Sequence, residues 1–464
     1  MALPAILVEA ERLHSEKKFE EAGKLYDQLL AQNEQHPYIL VGMAQTLMNV
    51  KNMLGTSLAL YHAAIHAFKA EGTDIPAELY SNLGICYKFT GQLDKAREWC
   101  KKAIEVEETA GTLSNYGQLF GETANAAEGR PYLEKAVKLD PSMKLAHWNL
   151  ALCLLMTAHK DNAWRYAWQE HEHGIHDEGP RKHRRKTSLP FWDGTKGQKV
   201  LVYGEQGIGD EIMFASMLPD MMKDAEVILD CHTRLTTIFE KSFGVKCYGT
   251  RKDADVDWIE AEKPDAILAI GSLGKFYRKD AKDFPGTPYL KADPAPRGDK
   301  FRVGISWTGG RLTQRVAKRT VPLSWWDSIL RNDAEFVSLQ YTDGCEDEIA
   351  IVNERLGHSI RQEPVAKAQD YYELAQYVKS CDLIITVCTS LVHLAGALGV
   401  PCWVMVPKHP AWRYQASGPM PWYRSVRLYR QQGEDEGAWI PVVQKIGLDL
   451  SDLLAAQQPV RKVA

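Results

Sequence analysis

The stretch Leu201-Val202-Tyr203-Gly204-Glu205-Gln206-Gly207-Ile208-Gly209-Asp210-Glu211-Ile212-Met213-Phe214 decides the fold of the larger part of this chain. Lys199 to Tyr203 is a short apolar run with the branching of a buried strand. Glycines at 204, 207 and 209 follow, and then an amphipathic run begins. A glycine-rich strand-to-helix turn lets backbone approach a ligand and aims free N–H groups at it. Here the turn carries two acids, Asp210 and Glu211, where a phosphate loop would carry Lys-Ser or Lys-Thr. An acid at that point repels phosphate and suits removal of a proton from an incoming hydroxyl.

Outward from that turn, strand and helix signals alternate. Lys199–Tyr203, Val227–Asp230 and Ala266–Ile270 read as strands of one unit. Pro294-Ala295-Pro296-Arg297-Gly298 reads as a hinge. A second series follows at Arg302–Trp307, Glu335–Gln340, Leu383–Val387 and Cys402–Val406, separated by helical patterns such as Asp370–Ser380 and Ser390–Leu398. This alternation predicts two parallel sheets whose strands' carboxyl ends border a cleft.

In the second unit, Cys388-Thr389-Ser390 closes a buried strand and opens a helix. The two hydroxyls can cap that helix, and its positive end suits a diphosphate. His393 lies one turn further in. An ordinary capped helix with a structural histidine is the plain alternative; the facing acid turn tips the balance toward function. Gly304-Ile305-Ser306-Trp307-Thr308-Gly309-Gly310 leads into a basic loop with Arg311, Arg315, Lys318 and Arg319. Arginine can grip phosphate with two donors at once, so this loop reads as phosphate-facing, against the alternative of a solvated loop. Trp412-Arg413-Tyr414 and Pro421-Trp422-Tyr423 form an aromatic group that either stacks on a ligand ring or packs in a core. Asp255-Val256-Asp257 has the letters of a metal motif but sits in a polar loop, so no metal ligand set is assigned.

The first third is a repeat. Ala77, Tyr80, Leu83, Gly84, Tyr87, Ala96 and Ala103 fall at the offsets of a tetratricopeptide unit of about 34 residues. Leu113, Tyr116, Gly117, Phe120, Gly129, Leu133, Ala136 and Pro141 repeat them, and Trp148, Leu150, Ala151, Leu154 and Ala163 begin a third match. Looser units are read upstream through Ala10, Leu13, Ala22 and Tyr26, and through Met43, Ala44, Leu47 and Ala63. About five units ending near residue 172 share a continuous core. Trp164, Tyr166 and Trp168 read as a cap against the next domain. The concave face of such a solenoid binds peptides, or it serves as a spacer or a homodimer contact.

The chain has 464 residues, a net charge of −4 and nine cysteines without a Cys-x-x-Cys pair. The charge gives no general pull toward nucleic acid. Arg181-Lys182-His183-Arg184-Arg185-Lys186 is the local exception and reads as a solvated linker. No run is long enough to span a bilayer, and Glu9 and Glu11 argue against a signal peptide. Reduced thiols in a cytoplasmic protein are expected.

Residues 190–432 resemble the heptosyltransferase-like glycosyltransferases of the GT-B architecture, within the bacterial and phage proteins that fuse such a domain to tetratricopeptide repeats. The matching segments are Pro190-Phe191-Trp192-Asp193-Gly194, Gly204 through Asp210, Gly304-Ile305-Ser306-Trp307, Ser338-Leu339-Gln340, Thr389 through Pro401 and Pro421-Trp422-Tyr423. The fold class the resemblance implies is α + α/β, an N-terminal α-solenoid followed by two Rossmann-like halves. The expected domains are 1–172 (repeats), 173–194 (basic linker), 195–296 (acceptor half) and 297–464 (donor half). The implied activity is inverting, metal-independent glycosyl transfer from a nucleotide-sugar to a hydroxyl, with no cofactor. On this resemblance Asp210 is the catalytic base, and Arg319 and His393 assist the leaving diphosphate. Gly207, Gly209, Trp307, Gly309, Lys318, Gln340, Cys388, Thr389 and Ser390 contact the donor. Cys388 stands where many relatives carry Asp, which removes a negative charge beside the diphosphate. A protein is the favoured acceptor, reached through the repeats; a saccharide ranks next and a modified DNA base last. Two other readings compete: a non-catalytic repeat scaffold with a degenerate GT-B domain, and a nucleotide-sugar epimerase.

Overall fold

The computed structural model describes residues 5–32, 36–50, 53–121, 125–176, 179–181, 185, 187–251, 256–309, 318–357 and 360–457. Contacts divide the chain into two compact units, Met1–Cys153 and Leu154–Ala464. Gly310, Arg311, Arg315, Asp255 and most of the basic run at 181–186 lie outside the described residues.

The first unit is helical. Its elements are α1 (Ala5–Ser15), α2 (Phe19–Gln32), α3 (Pro37–Val50), α4 (Leu54–Glu71), α5 (Ala77–Phe89), α6 (Leu93–Val106), α7 (Ala110–Gly121), α8 (Ala126–Leu139) and the start of α9 (Lys144–Asp161). Consecutive helices pack in pairs, α1 with α2 through α7 with α8. The repeat offsets explain the pairing. Ala96, Cys100 and Ala103 of α6 are fully buried, and the backbone of Gly84 comes close enough that an added Cβ would lie 3.0 Å from the Ala96 carbonyl. Tyr80 stacks on Trp99 at 5.7 Å, filling the space between helices. Upstream, Ala10, Leu13, Ala22 and Tyr26 are buried as their offsets require. In α4 the register is one residue off the expected position: Ala64 is buried and Ala63 is exposed.

The second unit opens with the end of α9 and with α10 (Trp164–Glu172), followed by two parallel sheets. The first contains β1 (Lys199–Tyr203), β2 (Glu226–Asp230), β3 (Lys246–Tyr248) and β4 (Ala266–Ala269), in the order β3-β2-β1-β4. The second contains β5 (Arg302–Ser306), β6 (Glu335–Ser338), β7 (Arg361–Gln362), β8 (Leu383–Val387), β9 (Cys402–Val406) and β10 (Val426–Arg430), in the order β10-β9-β8-β5-β6-β7. Every strand pair is parallel. Strand order reverses between β1 and β4 in one sheet and between β5 and β8 in the other. Open parallel sheets bind ligands outside the carboxyl ends of strands at such reversals.

Two expectations are corrected here. The repeats were expected to run to residue 172, but α10 packs into the second unit: Trp168 donates its indole N–H to the Arg278 carbonyl at 2.8 Å and lies against Phe214, Trp412 and Trp422. That group also settles Trp412 and Trp422 as core residues, 6% and 2% exposed. The expected hinge is tied down. Ala295 donates its N–H to the Gln376 carbonyl at 2.9 Å, and Arg297 pairs with Asp382 at 2.6 Å, so Pro294–Gly298 is fastened to the second sheet body.

The basic run is corrected as well, for its two described arginines. Arg181 is 1% exposed; its guanidinium reaches Glu205 (2.6 Å), Glu172 (2.6 Å) and the Ser272 hydroxyl (2.8 Å). Arg185 pairs with buried Asp230 through Nε at 2.6 Å. These arginines neutralise acids at the carboxyl ends of β1 and β2, which explains why a basic segment folds inward. The nine cysteines form no disulfide, and only Cys247 is not buried. No helix among the described residues is long and apolar enough to cross a membrane.

Candidate functional site

The turn after β1 and the turn after β8 come together. Gly207 is the N-cap of the helix Ile208–Ala215, and its N–H donates to Asp210 Oδ2 at 3.1 Å. A Cβ added to Gly209 would lie 3.1 Å from His393 Cδ2 and 3.3 Å from Ser390 Cα. The missing side chain at Gly209 eases this close approach of the two helix starts. Asp210 is thereby brought beside the helix Ser390–Leu398, which belongs to the other sheet body.

Thr389 is the N-cap of that helix, its hydroxyl accepting the Leu391 N–H at 3.2 Å. Ser390 shares a hydrogen bond with the Tyr371 hydroxyl at 3.0 Å. Arg319 donates to the Cys388 carbonyl at 3.2 Å, and among the described residues its buried Nε has no hydrogen-bond partner. Gly309, after β5, lies against the Thr389 methyl group. Lys318 is exposed one residue before Arg319. The expected residues Asp210, Arg319, Thr389, Ser390, His393, Gly207, Gly209 and Gly309 therefore surround one place.

Three other expected donor contacts face away from it. Trp307 is fully buried in the core of the second sheet, with its indole N–H on Glu348 at 2.9 Å. Gln340 is fully buried too. Its Oε1 accepts from the Ser306 hydroxyl and from the N–H groups of Trp307 and Thr308 at 2.9–3.2 Å, and its Nε2 donates to the Thr308 carbonyl at 2.9 Å. Gln340 thus shapes the turn after β5 and has little left for a ligand. The Cys388 thiol points inward to the Met405 carbonyl, and burial pushes it up to about 12, so it stays a neutral thiol.

His393 is 4% exposed and bonded through Nδ1 to the Tyr423 hydroxyl at 3.2 Å. Burial first, and then the Arg413 charge, push it down to about 3 against an opposing pull from Asp210. In the ligand-free protein the imidazole is therefore neutral. Glu211, next to Asp210, has a different role. It is fully buried, ion-paired to Arg251, and accepts the His232 N–H at 2.8 Å. Burial raises its carboxyl to about 8.

Two arginines at the site escaped the sequence reading. Arg413 forms an ion pair with Asp210, its Nε and Nη2 both reaching the one oxygen Oδ1. Arg234, after β2, lies 4.8 Å over the Tyr371 ring and donates to the Ala368 carbonyl. The only signal for Arg413 was a charge set between two core aromatics. Arg234 had no local signal, because its partners lie more than 130 residues away.

The helical unit carries tetratricopeptide repeats: the family's models match residues 77–109 and 110–143. Over 293 residues the chain is 31% identical to Protein FlbA of Caulobacter vibrioides, covering 57% of this chain and 48% of FlbA, so it spans about half the length of that relative. It is 26% identical over 121 residues to the Tetratricopeptide repeat protein 30 homolog of Caenorhabditis elegans, covering 26% of this chain and 18% of that protein. Among solved structures, YrrB, a TPR protein with an unusual peptide-binding site, aligns at 17% identity and a TM-score of 0.28, covering 36% of this chain and 82% of YrrB. MamA aligns at 15% identity and a TM-score of 0.30, covering 37% of this chain and 96% of MamA.

Proposed function

We propose that the second unit is a GT-B glycosyltransferase that moves a sugar from a nucleotide-sugar onto a hydroxyl, with inversion and without a metal ion. The observation that supports this most is the meeting of Asp210 with the hydroxyl-capped turn Thr389-Ser390. A carboxylate that draws off a proton and a positive helix end that holds an anion are the two parts a single displacement at an anomeric carbon needs. The diphosphate leaves toward Thr389, Ser390 and Arg319, where fixed dipoles and a guanidinium take up its charge. Arg413, held by Asp210 in the free protein, is drawn to the entering diphosphate, which releases the carboxylate. The repeats present a protein acceptor.

A nucleotide-sugar panel read by thermal shift and mass spectrometry tests this, since a bound donor raises the unfolding temperature by mass action. Asp210→Asn keeps the donor-induced shift and loses transfer, and turnover persists in excess EDTA. A panel with no binder, or an Asp210→Asn protein with wild-type turnover, removes the transferase reading or the role of Asp210 respectively. A strict metal requirement contradicts the leaving-group stabilisation.

A further inference from the structure

Along the carboxyl edge of the second sheet, the turns after β8, β5 and β6 follow one another, because β5 stands between β8 and β6. The first two carry Thr389 and Gly309, and the third carries Tyr341. The three meet: a Cβ added to Gly309 would run into the Thr389 methyl carbon and would lie 3.4 Å from the Tyr341 hydroxyl. Tyr341 thus points its hydroxyl at the hydroxyl-capped turn while the residue stays 42% exposed. Its backbone is held from both sides. Gln340, just before it, is fixed by Ser306, Trp307 and Thr308, and the Gln340 carbonyl accepts the Gln362 Nε2 proton at 2.8 Å. The Thr342 hydroxyl, just after it, accepts from Gln340 Nε2 at 2.8 Å. Gly344 then turns the chain, with φ of 80°, into the helix Cys345–Leu356.

A single exposed aromatic is ordinary on a protein surface. The place and the rigid mounting set this one apart. In a nucleotide-sugar, a ribose separates the diphosphate from a flat base. A diphosphate seated on Thr389 and Ser390 therefore puts the base one ribose away, toward β9 or toward β6. On the β9 side the turn is covered by the segment after β10. Lys408 donates its N–H to Gln431 Oε1 at 3.2 Å and its ammonium to the Gln432 carbonyl at 2.8 Å, and His409 shares a hydrogen bond with Glu434 at 2.9 Å. On the β6 side the exposed Tyr341 ring forms the surface. An aromatic ring stacks on any base, since each base has a π-face. We propose that Tyr341 is the platform on which the base of the donor stacks, with the ribose between it and the Thr389 turn. This rests on the transferase reading. It gives Gln340 a task as a positioning residue, which mounts the platform and binds no ligand itself.

Calorimetric titration of the full chain with ADP, GDP, UDP, CDP and inorganic pyrophosphate tests the assignment. Tyr341→Ala weakens binding of the preferred nucleoside diphosphate by about tenfold or more, the scale of one lost base–aromatic stack. Tyr341→Phe keeps the ring and stays within about threefold of wild type. Pyrophosphate has no base and binds wild type and both variants alike. Wild-type nucleotide affinity in Tyr341→Ala overturns the proposal. An equal loss in Tyr341→Phe also overturns it, because the hydroxyl then carries the effect. A parallel loss of pyrophosphate does the same, because the phosphate turn is then what changed. Where pyrophosphate binds too weakly to titrate, the contrast between the Ala and Phe variants decides alone. The exposed position leaves the urea midpoint of both variants at the wild-type value, so a change in affinity reads the site and not the fold. If none of the diphosphates binds wild-type protein, the transferase reading itself fails, an outcome distinct from any result of the variants.

Discussion

His171 and His393 are both neutral in the folded chain, with burial the first cause for each. His171 Nδ1 lies 3.0 Å from an Arg181 N–H, and a guanidinium only donates, so that nitrogen cannot take a proton. Burial and the Arg181 charge push His171 far below its ordinary value, and burial takes His393 to about 3. The sign of the pH effect follows. Below about pH 6.5 the unfolded chain protonates both rings while the folded chain refuses, so stability is full above that pH and falls as pH drops, by about 1.4 kcal/mol per unit for each ring. Urea midpoints measured from pH 7 to pH 5 are expected to decline, and His171→Gln to flatten the decline. An identical slope in the variant rules out His171 as a source. At this scale the sequence revealed what is local. Asp210, Thr389 and Ser390 stand out because a turn motif carries each of them. Arg413, Tyr371 and Tyr423 gain their roles only from partners that the fold brings from far away. Trp307 and Gln340 were expected at the donor on the family resemblance, yet they are buried and their polar groups are taken up by hydrogen bonds within the second sheet body.

At the scale of elements, continuous buried strands were legible, the edge strand β4 among them, and partly exposed edges were not. β1 and β8 are continuous buried runs bounded by turn residues. β3, β7 and β10 lie at sheet edges, are partly exposed and lack such a run, so periodicity gives them no signature. The segment 173–194 shows the same limit. Charge alone marks it as solvated, yet Arg181 satisfies buried Glu205, which also accepts the Gly271 N–H at 3.0 Å. Removing one member of a buried pair leaves the other charge uncompensated. Arg181→Met is therefore expected to cost about 3–5 kcal/mol in urea unfolding, with much of the loss recovered in Arg181→Met/Glu205→Met. A loss below about 1 kcal/mol, the value of an exposed pair, argues that water reaches Glu205.

At the scale of the molecule, the division inside α9 decides which parts fold together. The end of α9 and all of α10 are fastened to the sheet bodies: Ala416 donates to the Met156 carbonyl at 2.9 Å, and Gln415 accepts the His159 N–H at 3.1 Å. Trp164 packs on Phe284 at 4.3 Å, and Trp164 and Trp168 are 0% and 1% exposed. Truncating one buried tryptophan costs about 3–5 kcal/mol, comparable to a large share of a domain's stability. Deleting α10 also takes away Glu172 and His171, both partners of Arg181. A chain beginning at Lys144 is therefore expected to remain soluble and to unfold in a cooperative transition of its sheet bodies. A chain beginning at His176, a cut just past the expected repeat boundary, is expected to aggregate or to unfold at a far lower urea concentration. Tryptophan fluorescence during urea unfolding of the two truncated proteins compares them directly. Equal midpoints mean that α10 is an appendage of the repeats, and the aromatic group around Trp168 then contributes little to the stability of the sheet bodies.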